Sequence, residues 1–253
     1  MKNFFKKIFK KLGYDIKKTN AELSKINIDQ LLFDKISSNP IIFDVGGSKG
    51  QSISKFKTLF ENPIIHSFEP IQSDFEIMSQ KFNQDKNIFL NNFALGDKSE
   101  FKEFNITAQT VNSSFNNINK DTEWIRKRSK QFNTSIDGYI KSKVMTKIDT
   151  LDNYVNSKCI EKIDLLKIDT QGYEDKVLKG SSDNLYNNNI KAIVTEIMFD
   201  DVYDKYFSFS DIEKYLINNN FRMVAINLVN NNLFSGLVFS ADVFYLNKNF
   251  YNI

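Results

Sequence analysis

Polar side chains stand at the ends of five buried strands that the hydrophobic pattern predicts. They are Asp44, Glu69, Asn92, Asp169 and Glu196. In an open parallel sheet, ligands bind outside the carboxyl ends of the strands, so we expect these side chains to lie along one edge. Each acid alone reads equally well as a helix cap or a surface charge. Together they favour a site for a nucleotide-like or adenosyl-containing ligand.

A glycine-rich turn follows the first of these strands. The run from Ile41 to Gly50 reads IIFDVGGSKG. Glycine lets the backbone turn sharply and lets a ligand approach it closely. The spacing Asp-x-Gly-x-x-x-Gly differs from the Gly-x-Gly-x-x-Gly of dinucleotide-binding proteins, because Ser48 stands where the second glycine would be. The acid that ends the second strand, Glu69, suits the two hydroxyls of a ribose.

Strands and helices alternate along the chain, which is typical of a parallel sheet with helices on both faces. The segment after the glycine turn carries Ile53, Phe56 and Phe60 at helical spacing. The predicted strands are 41–45, 64–69, 88–95, 163–169, 190–197, 221–226 and 243–246. The pattern predicts one α/β domain over residues 39–253.

A long polar insertion interrupts this alternation at residues 107–142. Short strands are expected just before it, around Phe101, Phe104 and Ile106. Insertions of this length are typical of functional lids and mobile loops.

The composition limits the function classes. The chain has 253 residues, of which 41% are hydrophobic, and a formal net charge of +3. That charge is too small to make nucleic acid the main partner. The single Cys159 excludes an internal disulfide framework, and the single His66 excludes a multi-histidine metal site. Carboxylates could still bind a divalent cation.

Residues 1–38 form a basic, amphipathic leader. Between residues 4 and 12, apolar side chains share one helical face and lysines cover the other. One interpretation is peripheral binding of residues 1–13 to the inner face of a membrane, and the other is packing on the protein's own core. No apolar run approaches the roughly 20 residues of a membrane span, and there is no secretory signal, so we expect a cytoplasmic protein.

Several ordered motifs resemble those of the FkbM-type S-adenosylmethionine-dependent methyltransferases. The resemblance covers roughly residues 40 to 248. It rests on the motifs DVGGSKG (44–50), FEP (68–70), NFALGD (92–97), TLD (150–152) and LKIDTQGYE (166–174). The Glu-Pro pair and the Lys-Ile-Asp-x-x-Gly-x-Glu motif, in this order, carry most of the specificity. The resemblance implies a class I methyltransferase fold, a Rossmann-like seven-stranded sheet whose last strand is antiparallel.

The resemblance also implies roles for the cofactor-binding residues. Gly46, Ser48 and Gly50 would let the backbone approach the methionine part of S-adenosylmethionine, and Asp44 would anchor their loop. Glu69 would accept hydrogen bonds from the ribose hydroxyls. Asn92 and Ala94 would lie near the adenine.

Two positions depart from the family pattern. The family usually has Ala-Asn where Gly47 and Ser48 stand, a change that preserves the turn. It usually has Glu where Gln171 stands. The second change removes a charge beside the expected reaction site.

The expected reaction is an in-line transfer of an activated methyl group to an acceptor oxygen. A neutral hydroxyl is a weak nucleophile, so a base within hydrogen-bond reach helps. Asp169 is the first choice, as base or orienting group, and Glu196 is the second. The two carboxylates could instead share a divalent cation.

Because such enzymes commonly methylate hydroxyls of sugars and glycosylated natural products, the resemblance implies O-methylation of a saccharide, as in glycan biosynthesis. The insertion at residues 107–142 would then form a lid that binds the acceptor, and its Trp124 or Tyr139 could stack on a sugar ring or pack beneath the lid. A non-catalytic binding module on the same fold remains open because of Gln171. A nicotinamide-dependent oxidoreductase is a further alternative, against which the missing glycine and the Glu-Pro pair count. Methylation of a nucleic acid is disfavoured, because the sequence shows neither a broad basic surface signal nor an Asn-Pro-Pro-Tyr motif.

The leader yields a direct test. If residues 1–13 bind a membrane surface, their deletion abolishes co-sedimentation of the protein with anionic liposomes, because both the lysines and the apolar face are lost. Neutral liposomes serve as the control. Unchanged co-sedimentation of the truncated chain would end the membrane interpretation.

Overall fold

The structure is a computed structural model that describes residues 27–199, 201–205, 208–230 and 238–251. The membrane interpretation of residues 1–13 and most of the leader lie outside these residues. The eight helices in the described part are α1 (Ile28–Lys35), α2 (Gln51–Leu59), α3 (Gln72–Phe82), α4 (Glu123–Gln131), α5 (Leu151–Lys158), α6 (Glu174–Lys179), α7 (Ser182–Tyr186) and α8 (Phe209–Asn218). Within these residues, no helix combines the length and apolar character that crossing a membrane requires.

Ten strands in the described residues form two sheets. They are β1 (Ile41–Val45), β2 (Ile64–Phe68), β3 (Ile88–Asn91), β4 (Ala94–Leu95), β5 (Glu100–Thr107), β6 (Ile140–Asp149), β7 (Leu165–Ile168), β8 (Ala192–Met198), β9 (Phe221–Asn230) and β10 (Val238–Asn247). The main sheet has the order β3-β2-β1-β7-β8-β10-β9. Strand β10 runs antiparallel to both neighbours, and the other pairs are parallel. The predicted seven-stranded sheet with an antiparallel last strand is confirmed.

Helices cover both faces of this sheet because successive strand residues point to opposite sides. On one face, Ile42 and Ile65 pack with buried residues of α1, α2 and α3. On the other face, Phe43 and Val45 pack with buried residues of α5, α6, α7 and α8. One of these buried residues is Leu216 of α8. The end of the leader, helix α1, therefore belongs to the core through Ile28, Leu32 and Ile36.

The predicted strand 88–95 is wrong as a single element. The structure divides it into β3, which pairs with β2, and β4, which pairs with β6 in the second sheet. Asn92 lies between the two, where its side-chain Nδ2 donates to the carbonyl of Glu69 at 2.9 Å. The continuous run of apolar residues concealed this break, because periodicity alone does not show where a strand changes its partner.

The insertion is bounded by two long paired strands. Phe101, Phe104 and Ile106 share a single strand, β5, which pairs antiparallel with β6. The start of β6 overlaps the end of the predicted insertion, so the segment between the paired strands is 108–139. We call this segment the lid. It carries α4.

The single histidine lies in an aromatic stack within the core. His66 is the register partner of Phe43 on β1 and of Phe89 on β3. Its ring stacks on Phe89 at a centroid distance of 4.6 Å, and its Nδ1 lies 2.9 Å from the hydroxyl of Tyr154. Burial and then the positive charge of Lys158 lower the pKa of His66 to about 4. The ring is therefore neutral in the folded protein at physiological pH.

This low pKa predicts a pH-dependent stability. Because the unfolded chain takes up the proton near pH 6.5 and the folded chain only near pH 4, the stabilising contribution is complete above pH 6.5 and is lost as the pH falls. Between pH 7.5 and pH 5 the wild type should lose about 2 kcal/mol relative to His66→Phe. Urea unfolding of both proteins at the two pH values measures the difference, in which other titrating groups cancel. Parallel pH profiles would contradict the assignment.

Candidate functional site

A buried ion pair joins the central strands beneath the glycine turn. Asp44 on β1 is the register partner of Ser67 on β2 and of Lys167 on β7. Its Oδ2 accepts from the Ser67 hydroxyl at 3.0 Å, and its Oδ1 lies 3.1 Å from Lys167 Nζ. Burial pulls the pKa of Lys167 down, but the charges of Asp44 and Asp169 outweigh it and raise the pKa above its ordinary value. The lysine therefore stays charged and holds both carboxylates.

The glycine turn is fixed onto the ends of three strands. The N–H groups of Gly46 and Gly47 both donate to the carbonyl of Phe68 at 3.0 Å, and Lys167 donates to the carbonyl of Gly46 at 2.8 Å. Gly46 has φ +82°, and a Cβ on it would lie 1.9 Å from the Asp169 carbonyl oxygen. Only glycine fits at position 46, where the backbone passes this close to the residue that follows β7. The turn therefore requires a residue without a side chain at this position.

Glu69 closes the turn from the second strand. Its carboxylate accepts from the Ser48 N–H at 2.8 Å and from the Ile71 N–H at 2.7 Å, one bond at each oxygen. Each oxygen retains a further lone pair. Burial raises the pKa of Glu69 to about 7, against the opposing effect of the two N–H donors.

Two carboxylates meet across the neighbouring strand ends. The side-chain amide of Gln171 donates to Asp169 Oδ1 at 3.0 Å and to Glu196 Oε2 at 2.8 Å. Asp169 Oδ2 lies 3.7 Å from Lys167 Nζ. Burial, followed by the negative charges of Asp169 and Glu174, raises the pKa of Glu196 to about 8. Glu196 is therefore mostly protonated at neutral pH, whereas Asp169 has a lysine beside it.

Gln171 sits in a strained turn that a second glutamate stabilises. Gln171 has φ +56° and Gly172 has φ +88°. The Glu174 carboxylate accepts from the Thr170 N–H at 2.8 Å, the Thr170 hydroxyl at 3.1 Å and the Gly172 N–H at 3.2 Å. Burial raises the pKa of Glu174 to about 7. These bonds hold the Gln171 side chain between the two carboxylates.

The glycine turn, the strand ends and the lid line a cavity of about 490 Å³, a size typical of small-molecule sites. The lid residues in this lining are Thr110, Val111, Asn112, Ser113, Phe115, Arg128 and Gln131.

The structure brings six of the nine predicted site residues to the cavity and leaves three outside its lining. The six are Gly46, Ser48, Glu69, Ala94, Asp169 and Glu196. Asp44 lies beneath the turn. Gly50 begins α2 with φ +84° and faces Phe82, whose ring a Cβ would meet at 2.5 Å. Asn92 is exposed and bonds to the Glu69 backbone instead of lining the cavity.

Two lid aromatics do not reach the cavity. Trp124 and Tyr139 are 1% and 0% exposed, and their rings pack against each other at 5.8 Å. They form the small core of the lid with Ile118, Val202 and Tyr203. Of the two interpretations of these aromatics, the structure therefore supports packing beneath the lid, because both side chains are buried in that core.

Sequence reasoning assigned no role to two acids that support the site. Asp74, in the first turn of α3, accepts from the Ser48 hydroxyl at 3.3 Å and lines the cavity. Glu174 orders the turn that carries Gln171. A signal existed for both, since Glu174 belongs to the Lys-Ile-Asp motif and Asp74 follows the Glu-Pro pair at the start of a helix.

The arrangement of Asp169, Gln171 and Glu196 does not resemble a metal-binding site. Within the described ranges, no group of three or more His, Cys, Asp or Glu side chains is placed to hold a metal ion. Between Asp169 and Glu196 lies the amide of Gln171, a hydrogen-bond donor to both. A cation shared by the two carboxylates would have to displace it.

The sheet order, the glycine turn and the acid at the end of β2 define a class I methyltransferase, an enzyme that uses S-adenosylmethionine. Residues 44–223 match the FkbM methyltransferase domain, and the chain belongs to that family. The resemblance seen in the sequence is thereby confirmed. No curated protein sequence matches the chain at a significant level.

Several solved structures of methyltransferases are similar to this chain at low sequence identity. An rRNA methylase from Streptococcus thermophilus is 10% identical, with a TM-score of 0.48 over 88% of this chain and 99% of its own. TrmK from M. capricolum, bound to S-adenosylhomocysteine, is 11% identical, with a TM-score of 0.48 over 88% of this chain and 68% of its own. Magnesium protoporphyrin IX methyltransferase from Synechocystis, with bound S-adenosylmethionine, is 11% identical, with a TM-score of 0.44 over 97% and 96%. At this distance no acceptor is carried over to this chain.

The turn geometry predicts the effect of one methyl group. Gly46→Ala places a Cβ against the Asp169 carbonyl in a left-handed backbone conformation. We expect a loss of roughly 2 kcal/mol or more in the free energy of unfolding and the loss of S-adenosylhomocysteine binding. Gly138→Ala is the control, since its Cβ would meet only hydroxyls of Thr134 and Ser135. Isothermal titration and urea unfolding measure both effects, and normal cofactor binding by Gly46→Ala would refute the role of the turn.

Proposed function

We propose that the protein is an S-adenosylmethionine-dependent O-methyltransferase that acts on a hydroxyl of a saccharide or glycosylated metabolite. The observation that supports this most is the carboxylate pair of Asp169 and Glu196, held by Gln171 in the cavity that the glycine turn also lines. A hydroxyl acceptor needs such a proton acceptor, whereas a stronger nucleophile does not.

The residues fit the cofactor where the turn meets β2. The Cβ-free backbone at Gly46 lines the cavity and admits the methionine part, with Ser48 beside it. Glu69 retains an acceptor lone pair on each oxygen for the ribose hydroxyls. Ala94 offers a small apolar wall for the adenine, and Asp44 anchors the turn from below. Bound there, the cofactor supplies a methyl group on a positively charged sulfur.

The chain's own residues then have two tasks. Asp169 accepts the proton of the acceptor hydroxyl, because its side chain lines the cavity, is 43% exposed and is held in place by Gln171 and Lys167. Glu196 is mostly protonated at neutral pH, which suits it to orient the acceptor or Asp169 through hydrogen bonds. The lid excludes water and aligns the hydroxyl for in-line transfer. No step in this scheme requires a divalent cation.

The lid supports a saccharide acceptor. Thr110, Asn112 and Ser113 present hydroxyl and amide groups at the cavity wall. The Asn112 Oδ1 is buried without a hydrogen-bond partner. Buried acceptors of this kind are normally paired, so a donor such as a sugar hydroxyl would satisfy it. A cytoplasmic location, with residues 1–13 on the inner membrane face, remains a prediction.

Family membership removes the nicotinamide alternative, because the FkbM domain is a methyltransferase domain. The non-catalytic alternative makes a different prediction from ours. A binding module takes up S-adenosylhomocysteine without turnover, whereas an enzyme transfers the labelled methyl group to a saccharide fraction.

Replacement of the proposed base separates binding from chemistry. Asp169→Asn keeps the size of the side chain but removes its basicity, so we expect normal S-adenosylhomocysteine binding and a loss of turnover of roughly a hundredfold or more. Transfer of labelled methyl groups to saccharides from the source organism measures turnover. Asp137→Asn, an exposed acid of the lid segment paired with Lys120, is the control. Near-normal transfer by Asp169→Asn would refute its role.

Glu196→Gln completes this experiment. The amide resembles the protonated carboxyl that the raised pKa favours, so activity at pH 6.5 should stay within severalfold of the wild type. If Glu196 were the base instead, this variant would be as impaired as Asp169→Asn.

A further inference from the structure

One cationic side chain lines the described part of the cavity. Among the described residues that line the cavity, Arg128 on α4 is the only lysine or arginine. Four acids line the same cavity: Glu69, Asp74, Asp169 and Glu196. Yet Arg128 forms no ion pair with any described acid. Its placement therefore does not serve to neutralise these carboxylates.

The contacts of Arg128 leave one edge of its guanidinium group without an acceptor. Nη1 donates to Gln131 Oε1 at 3.0 Å, one turn further along α4. The guanidinium carbon lies 5.7 Å from the ring centre of Trp124, within the range of a cation–π contact. Nε is buried and has no hydrogen-bond partner. A buried donor of this kind costs free energy unless a ligand satisfies it.

The Nε edge of a guanidinium group binds carboxylate and phosphate groups through two parallel hydrogen bonds. We propose that Arg128 is a specificity-determining residue that binds an anionic group, a carboxylate or a phosphate, on the saccharide acceptor. This inference rests on the proposed function. It narrows the substrate class from saccharides in general to acidic saccharides.

The charge of the cavity supports this assignment. The acids at the strand ends offer an anionic ligand no partner of opposite charge, so an anion needs a cation elsewhere in the same cavity. Arg128 supplies it from the lid. Such an acceptor would be oriented, with its anion at α4 and its hydroxyl toward Asp169.

The first experiment divides the acceptors by charge. Saccharides extracted from the source organism are separated by anion exchange at pH 7.5 and incubated with the wild-type protein and methyl-labelled S-adenosylmethionine. Label in the retained, acidic fraction is the expected result. Label in the unretained, neutral fraction would overturn the anionic acceptor while leaving the proposed function intact. Label in neither fraction would overturn the proposed function and this inference with it.

Two treatments of the acidic fraction identify the anion. Phosphatase treatment abolishes labelling if the group is a phosphate, and carbodiimide-coupled reduction abolishes it if the group is a carboxylate. If the acidic fraction is still labelled after both treatments, Arg128 does not bind a phosphate or a carboxylate of the acceptor, and the inference fails.

The second experiment assigns recognition to Arg128. Arg128→Gln should raise the KM for the acidic acceptor roughly ten- to a hundredfold, with S-adenosylhomocysteine binding unchanged. Arg126→Gln makes the same charge change at an exposed position of α4, where the side chain donates to the Asp121 carbonyl and does not line the cavity, and should match the wild type. Sodium phosphate should compete with the acceptor in the wild type and in Arg126→Gln, but only weakly in Arg128→Gln. Equal KM values for the two variants would overturn the assignment.

Discussion

The ion pair between Asp44 and Lys167 is the constraint on which the site depends. It lies in the interior, where two charges are costly unless they are paired and hydrogen-bonded. Here the cost is offset by the Ser67 hydroxyl and by the Gly46 carbonyl, both of which bond to the pair. The same lysine also faces Asp169. One buried cation thus links the turn proposed to hold the methyl donor with the carboxylate proposed to accept the proton.

Charge in the cavity is controlled mainly by burial. Glu69, Glu174 and Glu196 all have raised pKa values, since each carboxyl is withdrawn from water. Backbone N–H groups offset this effect at Glu69 and Glu174, which then act as acceptors for the turns of the site. Gln171 joins Asp169 to Glu196 without adding a further negative charge. The departure of Gln171 from the family pattern therefore has a physical role, since its amide donates a hydrogen bond to each carboxyl group, which a carboxylate at this position could not do.

Much of the fold could be predicted from the sequence because its signals are local. Apolar runs that end in acids mark the parallel strands, and the glycine turn after Asp44 marks the edge where the site lies. The sequence could not show that Ser67 and Lys167 flank Asp44, because register is a property of strands brought together from distant positions. The position of Asn92 outside the cavity lining could not be predicted for a related reason, since the apolar run around it belongs to two different sheets.

The lid was the least predictable part. Its polar composition indicates a loop, but the structure buries Trp124 and Tyr139 in a small core of its own. Which lid side chains then reach the cavity depends on the rotation of α4, which a nine-residue helix with few apolar residues does not reveal. Arg128 could not be singled out from its neighbours Arg126 and Lys130 by residue type alone.

The position of His66 in an aromatic stack has a consequence for how the charge of this site depends on pH. In most proteins a change of charge near neutrality is attributed to imidazole. In this chain the one imidazole stays neutral there, whereas burial raises the pKa values of Glu69, Glu174 and Glu196 toward or above neutrality. A change in the charge of the site near neutral pH would therefore come from buried carboxyl groups close to the strand ends and not from a histidine.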